Sequence, residues 1–73
     1  MKVKDLIERL KAFDPELMVV RPGYEGGVTE VDRLNVILIA LNVNEEWYYG
    51  EHDSVDDTTK WPKHEHAQAL ELL

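Results

Sequence analysis

Apolar residues fall along this chain in three patterns, each predicting a different element. Val3, Leu6, Ile7 and Leu10 recur at i, i+3, i+4 and i+7, the single stripe of an amphipathic α-helix. Lys4 with Glu8 and Asp5 with Arg9 lie four apart on its polar side and support it. Lys2 stands where Ser or Thr would cap the helix, so the first turn is expected to fray. Asp14-Pro15 closes it, because a residue before proline is pushed out of the α region. Phe13 is expected to pack where the chain leaves the helix. The second pattern, Leu17-Met-Val-Val-Arg21, reads as a first strand, with Leu17 and Val19 on one face and Met18 and Val20 on the other. The third is the run Leu34–Val43, whose apolar centre is Val36–Leu41. It is short and rich in β-branched residues, which predicts a buried strand. Leu34, Val36, Leu38 and Ala40 take one face, and Ile37, Ile39, Leu41 and Val43 the other. Such a strand needs cover on both sides.

The stretches between follow from turn chemistry. Arg21-Pro22-Gly-Tyr-Glu-Gly-Gly27 is a loop. Val28, Val31 and Leu34 are spaced as a strand that bends near Asp32-Arg33; the alternative is a loop to Asp32 with a strand from Leu34. Asn42 and Asn44 offer a turn. Trp47-Tyr48-Tyr49 is an aromatic patch stopped by Gly50, and Glu51 to Lys60 reads as an exposed acidic loop. At His66 to Leu73, the alternation of Leu70 and Leu72 favours a strand over the helical stripe Ala69, Leu70, Leu73. The fold class expected is therefore α+β: one N-terminal helix packed on a small three- or four-stranded, mainly antiparallel sheet, with residues 1–73 as a single small domain. The second face of the central strand is covered either by the aromatic segment or by another subunit, so a homodimer is expected. Polar substitution at Ile37, Ile39 or Leu41 would then weaken association.

Composition narrows the function classes. Fifteen acidic residues oppose eight basic ones, for a net charge of −7. The excess lies in residues 34–73, where eight acids face only Lys60 and Lys63. Direct nucleic-acid binding and an anionic membrane surface are both disfavoured, since each calls for Lys and Arg. Without cysteine there is neither a disulfide framework nor a thiolate metal site. Met1-Lys2 leads into a charged amphipathic segment rather than an apolar signal, and no run approaches membrane-spanning length, so the protein is expected to be cytoplasmic.

Val3-Lys-Asp-Leu-Ile-Glu-Arg-Leu10, followed by Asp14-Pro-Glu16 and Val19-Val20, resembles a loose group of small bacterial and bacteriophage proteins. In that group an amphipathic helix leads through an Asp-Pro turn into a strand. Gly23-Tyr-Glu-Gly-Gly27 and Asn42-Val-Asn-Glu-Glu-Trp-Tyr-Tyr-Gly50 resemble an uncharacterised branch of it. The resemblance covers about two thirds of the chain and implies no activity, cofactor or site. It does imply a short apolar C-terminal strand.

Four sets of residues are candidates for chemistry. Gly23, Tyr24, Gly26 and Gly27 form a glycine-rich loop whose amides suit an anion. It lacks the P-loop Lys and the dinucleotide spacing, and Glu25 repels phosphate. The plain alternative is a strand connection with Tyr24 packed over its own loop. His52, His64 and His66, with Asp53, suggest a metal, although no recognised zinc spacing is present. Asn42, Asn44 and Glu46 imitate an EF-hand start, but Trp47 takes the glycine position. Ser54, the only serine, lies beside His52 and Asp53 in one loop and cannot form a triad. No catalytic residue or cofactor is assigned, and an enzyme is not expected. Trp47, Tyr48, Tyr49 and Trp61, flanked by Glu45 and Glu46, are the best candidates for a protein-binding surface, against the alternative that Trp47 and Tyr49 cap the core. The function expected is a non-enzymatic interaction or accessory module with an unidentified protein partner, in its sharper form an acidic nucleic-acid mimic. The alternative is a metal- or small-ligand-binding protein using the His/Asp-rich C-terminal half.

Overall fold

The computed structural model describes residues 1–73. The protein is α+β, with one N-terminal helix and five antiparallel strands in two small sheets. It divides into two compact units, Met1–Arg33 with Leu72–Leu73, and Leu34–Glu71.

In the first unit, α1 spans Val3–Leu10 as its stripe predicts. Its start is firmer than the expected fraying. Lys2 has no accepting side chain, but Asp5 reaches back and accepts the Lys2 N–H at 2.9 Å. That carboxylate also sits in the first turn, where the helix dipole favours negative charge. Beyond Leu10 the chain turns through Phe13, whose N–H reaches the Leu10 carbonyl at 3.1 Å. Asp14 then builds the next turn, its Oδ1 accepting the Glu16 N–H at 2.9 Å and its carbonyl the Leu17 N–H at 3.1 Å. Phe13 does not pack as expected: it remains 61% exposed.

The first strand is shorter than its apolar run. β1 covers Val20–Pro22 and pairs antiparallel with β2, Val28–Glu30. Leu17 is held in the Asp14 turn and only three residues of β2 face β1, so Leu17 and Met18 stay outside the strand. The hairpin loop closes through Gly23 N–H to the Gly27 carbonyl at 3.0 Å. A Cβ on Gly23 would lie 2.3 Å from the Gly26 carbonyl oxygen, so only glycine fits there. The bend expected near Asp32-Arg33 is a break between strands: β2 ends at Glu30, and Asp32 and Arg33 donate to the Leu73 carbonyl at 2.7 and 3.0 Å.

In the second unit, β3 spans Leu34–Ala40, flanked by β4, Asp53–Val55, and β5, His66–Leu72, in the order β4-β3-β5. Leu38, Ile39 and Ala40 face Val55, Ser54 and Asp53. Reciprocal bonds join Arg33 and Leu73, and Leu41 N–H donates to the Glu65 carbonyl at 2.8 Å. Equal lengths of chain separate these two ties, so β3 and β5 run antiparallel without a bulge. The C-terminal strand expected from alternation is present. β4 is the element the sequence concealed: it lies inside the stretch expected to be an exposed acidic loop.

The central strand is only partly covered. Ala40 is fully buried and Ile37, Leu38, Ile39 and Leu41 are half-buried, whereas Leu34 and Val36 are 63% and 68% exposed. The fully buried strand of the sequence reading is thus realised only toward its C-terminal end, where β4 reaches.

Candidate functional site

The most distinctive surface belongs to the second unit and is built on the connection from β3 to β4. Asn42 starts it at φ 57, a left-handed conformation that asparagine tolerates better than most residues. Four hydrogen bonds then tie the two sides of the connection together. Asn42 N–H donates to His52 Nδ1 at 2.9 Å. Val43 and Asn44 N–H both reach the Glu51 carbonyl, at 2.9 and 3.2 Å. Asn44 Nδ2 donates to the Gly50 carbonyl at 2.9 Å. Within this closed neck, Tyr49 N–H bonds back to the Glu46 carbonyl at 3.1 Å, forming a tight turn.

That turn carries the aromatic patch outward. Trp47 is 91% exposed, and Tyr48 and Tyr49 are exposed beside it. Trp47 and Tyr48 meet edge to face, centroids 5.6 Å apart at 86°, and Tyr48 tilts against Tyr49 at 5.0 Å and 49°. Such offset and edge contacts are the favoured geometries for aromatic pairs. The rings therefore contact one another rather than the core, so the capping alternative for Trp47 and Tyr49 does not describe this chain. Glu45, Glu46 and Glu51 are exposed around them, and no Lys or Arg occurs in the loop.

Trp61 has a different environment from the other aromatics. Its indole Nε1–H donates to Asp53 Oδ2 at 2.9 Å, and its ring meets His64 edge-on at 5.7 Å. Lys60 Nζ lies 3.1 Å from the same carboxylate oxygen. These bonds, Trp61 first and then Lys60, hold the Asp53 carboxyl below its ordinary range. Asp57 is likewise lowered, by the hydroxyl and N–H of Thr59. Trp61 thus pins the segment after β4 to the first residue of that strand.

The three histidines are engaged separately with the backbone. His52 accepts from Asn42, His64 Nδ1–H donates to the Leu41 carbonyl at 3.2 Å, and His66 Nε2–H donates to the Lys60 carbonyl at 2.9 Å. They do not converge with Asp53 or with one another on a common point, and no group of three or more His, Asp or Glu side chains has metal-holding geometry. These bonds close the connections around β3 and β4. In the first unit, the glycine loop spends the Gly23 amide on Gly27, and Tyr24 stands 98% exposed instead of packing over the loop. Gly26 and Gly27 take φ 135 and 64, as the turn requires.

An open apolar groove of about 800 Å³ also lies within the first unit, lined mainly by Ile7, Leu10, Phe13, Leu17, Met18 and Val20. Sequence periodicity assigns these side chains to a core. The signal pointing to a groove instead is the Asp14-Pro15 turn, which separates the helix stripe from a second apolar run only a few residues away. No family model, curated protein or solved structure matches the chain.

Proposed function

We propose that this chain is a non-enzymatic protein-interaction module whose contact surface is the aromatic loop between β3 and β4. One observation carries the reading: Trp47, Tyr48 and Tyr49 are held in water on a loop whose neck is closed by four hydrogen bonds. Exposed large aromatics on an ordered scaffold offer apolar area at little conformational cost, and Trp and Tyr dominate the energetics of protein interfaces. Glu45, Glu46 and Glu51 form the rim, which fits a partner presenting an apolar cleft bordered by Lys and Arg. The protein acts as a homodimer, each copy presenting one such loop.

Affinity capture with the wild-type chain and with a Trp47→Ala, Tyr48→Ala variant provides the test. Each truncation at a buried hot spot costs about 2 kcal/mol or more, roughly thirtyfold in affinity, so the variant should lose the partner. Equal recovery by both chains would dismiss the reading. Reversing charge at Glu45, Glu46, Asp56 and Asp57 should slow association and reduce its salt dependence. Displacement of the captured partner by duplex DNA would identify its surface as a nucleic-acid groove, the acidic-mimic form of the same proposal.

A further inference from the structure

Each sheet in the molecule has two edges, and all but one are short or blunted. β1 and β2 are three residues long, and β1 ends in Pro22. β4 is also three residues long, with Lys60 on Asp53 and with Asp56 and Asp57 immediately after it. Short strands, proline and clustered charge are the usual protections of a sheet edge. β5 has none of them. It runs for seven residues, His66–Leu72, without Pro, Lys or Arg, and it is an edge strand in the order β4-β3-β5. Because Leu73 and Glu65 bond toward β3, alternation places the backbone groups of Ala67, Ala69 and Glu71 on that side too. The N–H and C=O groups of His66, Gln68, Leu70 and Leu72 face the free edge.

We propose that two copies of this chain associate by pairing their β5 edges antiparallel about Ala69, joining two three-stranded sheets into one of six strands. This rests on the homodimer reading above and specifies its interface. The β5 sequence is self-complementary in that register. His66 faces Leu72 of the other copy, Gln68 faces Leu70, and all the outward backbone groups of both strands are paired. Ala69 meets its own copy at a non-hydrogen-bonded position, where the two backbones approach most closely and a small side chain fits. Glu71 falls opposite Ala67. Shifting the axis to Gln68 would instead bring Glu71 against Glu65, two like charges across the ladder.

The self-complementary register of β5 favours a second copy of the chain as the occupant. Next to the free edge, Leu70 and Leu72 are exposed on the same sheet face as Leu34 and Val36, so pairing β5 with its copy joins two apolar patches into one. This is the face opposite Ile37, Ile39 and Leu41, to which the sequence pattern assigns association.

The full chain has no cysteine, so a single introduced thiol reports the geometry cleanly. Ala69→Cys should form a disulfide-linked dimer under mild oxidation, since Cβ atoms about 4.5–5.5 Å apart at a non-hydrogen-bonded pair suit cross-linking. Ser54→Cys, exposed on β4 at the far edge, should cross-link several-fold less at the same concentration. Gln68→Pro removes an edge donor but no bond to β3, and should give a folded monomer by circular dichroism and light scattering. A wild-type chain that stays monomeric at every concentration would overturn the homodimer itself. If the wild type is a dimer but the Ala69→Cys and Ser54→Cys variants cross-link equally, the β5 pairing alone is overturned. A folded Gln68→Pro dimer would overturn it too.

Discussion

Asp53 accepts from Trp61 and Lys60 at once, at 2.9 and 3.1 Å, and both contacts strengthen when the carboxyl is ionised. Its folded value is lowered from 3.8. A group depressed in this way contributes stability above its unfolded value, and loses it as pH falls through the folded value. Between neutral pH and about 4 the Asp53 contribution to the Trp61 environment should therefore be constant, and it should be lost only in stronger acid. Tryptophan fluorescence of a Trp47→Phe background isolates Trp61 for this titration. In that background Asp53→Asn should flatten the acid change, and an unaltered titration would show that another group governs it. Residue type and proximity in the sequence suggest His52, His64, His66 and Asp53 as companions at a metal, without a recognised zinc spacing. Each side chain instead bonds to a backbone or indole group several residues away, a pairing that depends on where the loops fold back.

Strand β3 shows at the scale of an element why burial was only partly legible. Its β-branched run correctly marks a strand, but cover comes from β4 at Leu38–Ala40 and not at Leu34–Val36. β4 has a single apolar residue, Val55, among acids. Three residues carry no periodic signal, so only pairing with β3 reveals the strand. At the covered end Ala40 is fully enclosed, and a larger side chain has nowhere to go. Ala40→Leu should cost about 1–3 kcal/mol by overpacking, read from urea midpoints. An unchanged midpoint would mean the site relaxes. The aromatic loop follows the opposite rule. Asn42 and Asn44 correctly announce a turn, while the outward course of Trp47 is set by neck bonds to Glu51, Gly50 and His52, which no local pattern encodes.

For the whole molecule, the proposed homodimer has a thermal consequence. If association completes the fold, melting temperature should rise with protein concentration, because partner binding stabilises the native state by mass action. Scanning calorimetry across a concentration series measures this, and a constant melting temperature would indicate a self-sufficient monomer. The Gln68→Pro chain should melt lower than the wild type and independently of concentration. No helix is long and apolar enough to cross a membrane. Of the eight acidic residues in 34–73, Asp53 and Glu71 lie in strands and the other six on the connections of the second unit.

Sequence alone determined the elements whose signals are local. The helix stripe of Val3 to Leu10, the glycine-demanding turn at Gly23 to Gly27 and the β-branched run of β3 each follow from neighbours a few residues apart. The α+β class follows from them. Tertiary structure decided what depends on partners distant in the chain: that β4 exists, that the strands divide into two sheets, that Trp47 meets water while Trp61 meets Asp53, and that β5 is left as a long bare edge. A side chain's period records which face it takes, but not whether anything lies against that face. That depends on the reach and register of another strand.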